Sequence, residues 1–310
     1  MTQQLQLRQD IASTMTAGQI KQLRRETRRE NLGRAWYKFS RNPLSIIGAA
    51  TVLTIILVAV FAPFIAPYPE HVKPFTDFAN ASQPPSPAHF FGTDEIGRDI
   101  FSRVLFGFRF SLLMGLVVLT LVVPVGVLLG LIAGYFQSTW VDTVIMRTTD
   151  IFLAVPPLIL AMAIASVLEP NLFNAMIAVS LMWWPWYTRL VYGLARTLRN
   201  EYFVSSAEVT GASTAHILFK EILPNCVSPI FTKMSLDMGW VIIIGSMLSF
   251  VGLGVQPPRP GLGTMVASGA KYVPDQWWIA VFPALAIVVV VLGFNLLGDG
   301  LRDLLAAEGV

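Results

Sequence analysis

The chain is 310 residues long, 54% hydrophobic and only 13% charged, where an ordinary soluble domain carries roughly a quarter of charged residues. That balance excludes a soluble domain and describes a membrane protein. The single cysteine, Cys226, excludes a disulfide within the chain and a cysteine-rich metal site, and a net charge of +3 supports no interaction with nucleic acid.

Residues 1–43 hold nine of the 22 Lys+Arg, among them Arg24, Arg25, Arg28 and Arg29, against three acids. This predicts a basic N-terminal tail on the cytoplasmic side. Trp36, Tyr37 and Phe39 beside Lys38 and Arg41 suit the headgroup layer, so membrane lipid is one expected partner. A solvated positive-inside flank and a specific lipid or protein site are both open readings. The apolar run that follows is too long for the core of a cleavable signal peptide.

Residues 44–66 carry no charge. At ~1.5 Å per residue they reach ~34 Å, enough for a ~30 Å hydrocarbon core. This is the first span. Residues 67–109 begin rich in proline and then repeat Ile100, Phe101, Val104, Leu105 and Phe108 at helical spacing, with Arg98, Asp99 and Arg103 off that face. The pattern predicts an outer segment ending in a helix along the membrane surface.

Further apolar runs predict spans at 110–136, 151–168, 172–194, from Pro224 to about Ser249, and 277–297, making six in all. Gly126, Gly130 and Gly134 line one edge of the second span, where another backbone can approach closely. Pro156-Pro157 should bend the start of the third span. Asp142, Arg147 and Asp150, just before it, suit either an inner-surface salt network or a contact with a partner protein. Residues 110–303 thus form a core, with a short cytoplasmic tail at 304–310. The basic residues agree with this orientation: fifteen fall on inner segments and six on outer ones, with Lys233 inside the fifth span.

Residues 201–225 are polar and helix-compatible between two membrane-grade runs. Phe203, Val204, Ala207 and Thr210 share one face of a short helix, away from Glu201, Ser205, Ser206 and Glu208. Gly211 should end that helix, and a second short piece should stop before Leu223-Pro224. The result is a cytoplasmic helix-turn-helix knob, too short to cross a bilayer. In the fifth span Lys233 and Asp237 lie ~13 Å and ~20 Å from Pro224 on one face, where each can neutralise the other. A structural ion pair and a place on a translocation path are both open. The second outer segment, 254–276, is rich in Pro and Gly and should fold back into the outer mouth.

No Gly-Lys dipeptide occurs, so there is no phosphate-binding GxxxxGK[ST] loop, and there is no HExxH pair. His71, His89 and His216 stand alone. The chain therefore predicts no catalytic residues, no metal site and no cofactor, and any energy must come from a partner.

Several stretches resemble one family. Gly92-Thr-Asp-Glu-Ile-Gly-Arg-Asp-Ile-Phe-Ser-Arg103 is similar to the GTDxxGRDxxSR stretch of ABC importer permeases of the dipeptide, oligopeptide and nickel branch. Residues 134–150 resemble the branch pattern GYxGGxxDxxxMRxxD, with Gln137 and Ser138 in place of two glycines. Ser205-Ser206-Ala207, Gly211-Ala212 and Leu223-Pro224-Asn225 resemble the EAA coupling loop, with Ser205 in place of its glutamate. SFVGLGVQPPRPGLGTMV, with Leu262 where the branch has tryptophan, and FNLLGDGLRD, ending at Asp303, complete the likeness.

The resemblance implies an all-α membrane protein with six transmembrane helices, a cytoplasmic coupling helix-turn-helix and the MetI-like fold of ABC importer permeases. It implies a bacterial inner-membrane subunit of the C type, with both termini cytoplasmic. Its implied partners are a homologous second permease, two cytoplasmic ABC ATPase subunits and an extracytoplasmic substrate-binding protein. The implied coupling residues are Glu201, Ser205, Ser206, Ala207, Glu208, Gly211, Ala212, Leu223 and Pro224, with Glu201 or Glu208 meeting basic groups of the ATPase. Peptides are the implied cargo, with nickel, opines, glutathione and oligosaccharides as alternatives within the branch. Outside it, an ion-gradient transporter using Lys233 and Asp237 and a membrane-embedded enzyme are the rivals; no convergent catalytic set supports the second.

Overall fold

The structure, a computed structural model, describes residues 39–306 together with Gly33 and Tyr37. The basic tail expected over 1–43 lies almost wholly outside the described residues. The helices are α1 (Pro43–Ile65), α2 (Ile100–Tyr135), α3 (Trp140–Ala154), α4 (Pro157–Val167), α5 (Leu172–Leu198), α6 (Tyr202–Val209), α7 (Thr214–Phe250), α8 (Leu262–Ala270) and α9 (Trp278–Ala306). No strand occurs among the described residues, only an isolated bridge between Thr93 and Asp99.

The first helix starts where the sequence supplies both a cap and a stop. The Asn42 side chain accepts from the Leu44 N–H at 3.1 Å, and Pro43 sits at the first helical position, where its missing N–H costs nothing. Its length and uncharged surface suit a span, and most of its large side chains, such as Leu53 and Phe61, are exposed. Its small-residue edge lies on α9: a Cβ at Gly48 would stand 2.5 Å from the Leu297 nitrogen.

The second helix corrects an expectation. Residues 100–109 do not form a separate surface helix; they are the first turns of α2, which runs unbroken for 36 residues, about 54 Å. No proline lies between Asp99 and Phe110 to stop it. The apolar face that suggested a surface helix is instead buried against protein: Ile100 and Val104 pack with Leu262 and Met265 of α8 and with Trp278 and Ile279 of α9. Asp99 caps this helix, accepting from the Ser102 N–H at 2.7 Å.

Along α2, Gly126, Gly130 and Gly134 form the seam against α5. Added Cβ atoms would meet Tyr187 Cβ at 2.5 Å, Thr188 O at 2.7 Å and Ala195 Cβ at 2.6 Å. Residue numbers rise together along this seam, so α2 and α5 are parallel. The chain between them must therefore traverse the bundle, and α3 and α4 carry it. They meet at a bend of 91°, sharper than a bent start to one helix. Val155 and Pro156 are both extended, each preceding a proline that disfavours the helical conformation before it.

Four described helices are long and apolar enough to cross a membrane, or five with the bent pair as one span, against the six expected. The difference is α5. It is 27 residues long but carries Asn174, Thr188, Arg189, Tyr192 and Arg196. A helix whose one face is sheltered by neighbours need not be apolar all round, and Ala175, Met182, Tyr187 and Val191 of that face are buried.

The fifth expected span also begins earlier than the sequence suggested. Pro224 does not end a preceding helix: α7 runs from Thr214 through a π-helical stretch, Ile217–Ile222, in which the Leu223 N–H reaches back five residues to the Leu218 carbonyl. The widened turn re-routes hydrogen bonds where Pro224 has no N–H to give. The Asn225 side-chain amide donates to the Glu221 carbonyl at 2.6 Å, supplying one more donor there. Residues 254–276 fold back between α7 and α9, where α8 packs so closely that a Cβ at Gly269 would stand 2.5 Å from the Ala280 nitrogen.

Candidate functional site

The knob is α6 with the turn into α7. Glu201 heads it, its carbonyl accepting from the Val204 and Ser205 N–H groups while its side chain stays exposed. Val204 is fully buried, and Ala207 and Ala212 pack against the same core. Gly211 ends the helix with φ +82°, the left-handed conformation that glycine adopts without strain. Its N–H bonds the Glu208 carbonyl at 2.9 Å and the next N–H, from Ala212, bonds the Ala207 carbonyl at 3.0 Å, a Schellman closure. Ser213 then caps α7, its hydroxyl accepting from the His216 N–H. Leu223 and Pro224 lie further along, inside the same helix.

Only part of the face shared by Phe203, Val204, Ala207 and Thr210 is buried. Phe203 is exposed, and Thr210 turns its hydroxyl back to the Ser206 and Ala207 carbonyls. The face presented outward consists of Tyr202, Ser205, Ser206 and Val209, at i, i+3, i+4 and i+7, with Tyr202 90% and Val209 89% exposed. Tyr202 and Val209 were missed because the motif draws attention to the serines. The signal was present: two apolar residues seven apart on the side opposite Val204.

Glu208 is not directed at that outward face. Its Oε1 accepts from the Tyr135 hydroxyl at 2.9 Å and lies 2.9 Å from the Arg199 guanidinium, which itself sits 4.8 Å over the Tyr135 ring. Tyr135 ends α2 and Arg199 caps α5, so one carboxylate ties the knob to the ends of both helices. Nearby, Asp142 accepts from the Ser138 N–H at 2.9 Å, and Arg189 pairs with Asp150 across α5 and α3. Arg147 joins no ion pair among the described residues.

A second site opens between α5, α7 and α9, a cleft of about 640 Å³. Two adjacent rows of α7 face it: Ser228, Thr232, Leu236 and Trp240 in one, Pro229, Lys233 and Asp237 in the other, each at four-residue spacing. Lys233 Nζ lies 3.1 Å from both carboxylate oxygens of Asp237. Trp183 of α5 donates its indole N–H to Asp237 Oδ2 at 3.0 Å, and the Lys233 ammonium stands 5.4 Å from the Tyr187 ring centre. The expected pair is therefore formed, and α5 holds its acid.

At the other end of the bundle, buried charges lock residues 66–103 together. Arg98 Nε donates to Asp94 at 2.7 Å, and Arg103 donates to the His71 carbonyl at 2.9 Å. His71 Nδ1 accepts from the Asp99 N–H at 2.8 Å, which fixes its tautomer, and burial pushes its pKa below 6.5 against the pull of Glu70. Tyr68 lies between His71 and His89.

The sequence family described as the inner membrane component of binding-protein-dependent transport systems matches residues 126–308, which include the knob and the cleft. This chain belongs to that family. The N-terminal transmembrane domain of oligopeptide transport permease C matches residues 31–85 as well. Among similar proteins, the probable D,D-dipeptide transport system permease of Escherichia coli K12 is 44% identical over 264 residues, covering 85% of this chain and 87% of its own. The di/tripeptide transport permease of Pseudomonas aeruginosa is 41% identical, covering 87% and 90%. A glutathione transport permease of Escherichia coli O6:K15:H31 is 43% identical, covering 87% and 88%. A solved chain of the MetNI methionine ABC transporter, inward facing, aligns with a TM-score of 0.55 at 16% identity, covering 67% of this chain and 97% of that one. That last likeness establishes the fold: a family member here has the helical permease architecture.

Proposed function

We propose that this chain is the C-type permease subunit of an ATP-binding-cassette importer and forms half of a translocation path for di- and oligopeptides across a bacterial inner membrane. The observation that carries the reading is the knob: a short helix anchored inward by Val204 and Glu208 and presenting Tyr202, Ser205, Ser206 and Val209 outward, between the long helices α5 and α7. Such a face suits a groove on a motor subunit, because Ser205 and Ser206 let backbones approach while Tyr202 and Val209 supply apolar contact. Family membership supports the same reading.

In this account two cytoplasmic ATPases move the knob, a homologous second permease completes the path, and an extracytoplasmic binding protein delivers the solute. Both termini and the knob are cytoplasmic, which the clustering of Lys and Arg supports. Ser205, Ser206, Ala207, Gly211 and Ala212 shape the seat, Glu201 is free to meet basic groups of the motor, and Glu208 transmits movement inward. Leu223 and Pro224 hold the π-helical turn through which the knob joins α7. Lys233 and Asp237 line the path. Relatives named for dipeptides and for glutathione favour peptide-like cargo over nickel, opines or oligosaccharides. The test is to purify the complex from cells, identify its subunits, and measure which solutes the co-purifying binding protein retains. A chain that transports without ATPase subunits would defeat the proposal.

A further inference from the structure

The cleft between α5, α7 and α9 contains three charges with unequal roles. Asp237 is 4% exposed and fully engaged, by Lys233 on both oxygens and by Trp183 on one, so it is not open to a passing solute. Lys233 differs. Its side chain is 23% exposed in the cleft, and an ammonium with three N–H groups has donors left after meeting one carboxylate. Arg302 of α9 lines the same cleft, is exposed, and joins no ion pair among the described residues. The cleft thus carries two cations and one anion whose oxygens are already occupied. Around them stand the hydroxyl-bearing residues Ser228 and Thr232 and the 55% exposed Trp240.

On the reading that this cleft belongs to the translocation path, we propose that it is a carboxylate subsite: Lys233, held in place by Asp237, which Trp183 in turn fixes, and Arg302 together receive the carboxylate of a passing peptide. A net positive cleft attracts an acid end whatever the side chains beside it, while Asp237 keeps Lys233 from sitting unpaired in a low-dielectric surrounding between solutes. Asp237 and Trp183 are positioning residues here. The hold is also limited, as a path requires, because Lys233 never gives up its first partner.

The test uses the purified complex in proteoliposomes with radiolabelled dialanine and glutathione as probes, assembly being checked by subunit stoichiometry. Lys233→Met is expected to lower uptake about tenfold, the worth of one charge-assisted hydrogen bond, and Lys233→Arg to keep most of it. The deciding variant is the double Lys233→Met/Asp237→Asn, which leaves no buried unpaired charge. Continued tenfold loss in the double supports the subsite. Recovery to wild-type uptake overturns it, making the pair a structural one, while the path reading survives. Arg302→Gln, at an exposed position that does not threaten folding, is expected to raise KM several-fold; unchanged KM overturns the subsite. Wild-type uptake in every variant defeats the path reading itself, and no uptake of either probe by the wild-type complex defeats the peptide reading.

Discussion

Glu208 and Arg199 meet at 2.9 Å between the knob and the end of α5, with the Tyr135 hydroxyl on the same carboxylate oxygen. The Glu208 carboxylate of the knob therefore points into the helical bundle rather than outward. Because both partners are about a third exposed, the pair contributes little to stability, on the order of 0–1 kcal/mol. Its effect should be mechanical: a knob that has lost it can move without pulling α2 and α5. Arg199→Ala and Glu208→Gln are expected to leave the complex assembled and its ATP hydrolysis near normal, while the solute carried per ATP falls several-fold. Proteoliposome measurements of both rates decide it, and unchanged stoichiometry removes Glu208 from the linkage.

Gly211 closes the knob at φ +82° with no atom within 4 Å of an added Cβ. Space is free, so the demand is on the backbone alone, about 1–2 kcal/mol for a residue that resists the left-handed region. Gly211→Asn is expected to keep coupling, since asparagine visits that region readily. Gly211→Val and Gly211→Arg are expected to re-aim Tyr202 and Val209 and to uncouple hydrolysis from uptake. Equal coupling in Asn and Val variants would show that the turn geometry is not what matters.

Some of this was legible in the residues and some was not, for physical reasons. The helix end at Gly211, the glycine seam of α2 and the Lys233–Asp237 pair are local or periodic signals, readable from spacing alone. The partner of Asp237 is not: Trp183 lies 54 positions away, and no local pattern announces it. The apolar face of residues 100–108 was visible, but a face that fits a membrane surface fits α8 and α9 equally well, and only the tertiary contacts choose. Pro224 reads as a helix stop because sequence rules assume four-residue hydrogen bonding, which the π-helical turn at 217–222 sets aside. The direction of Glu208 depended on Tyr135 and Arg199, from two other helices.

His71 gives residues 66–103 a pH dependence. Its folded pKa is lowered from 6.5 chiefly by burial, and its Nδ1 must stay unprotonated to accept from the Asp99 N–H. The folded state thus binds fewer protons than the unfolded one between the folded pKa and 6.5. Stability from this group is complete above 6.5 and is lost as pH falls through the lowered folded pKa. Hydrogen-exchange protection of residues 66–103, corrected for the intrinsic exchange rate, is expected to fall as pH drops from 6.5 through the folded pKa, and His71→Asn, which cannot titrate, to flatten the change. An identical pH profile in that variant would assign the effect elsewhere.

Gly130 and Gly193, on facing helices, should respond oppositely to an added methyl group. A Cβ on Gly130 would stand 2.7 Å from the Thr188 carbonyl oxygen and 2.8 Å from Val191 Cβ, so the neighbour that must give is partly backbone. Gly130→Ala is expected to cost about 1–3 kcal/mol, the range for overpacking a tight core, and Gly130→Val more, by prising α2 from α5. At Gly193 nothing lies within 4 Å, and the residue sits inside the 27-residue helix α5. There Gly193→Ala removes only the helix-weakening freedom of glycine and is expected to stabilise by about 0.5–1 kcal/mol. Thermal unfolding of the detergent-purified complex should separate the two in sign. A stabilising Gly130→Ala would mean that the α2–α5 seam is looser than these distances describe.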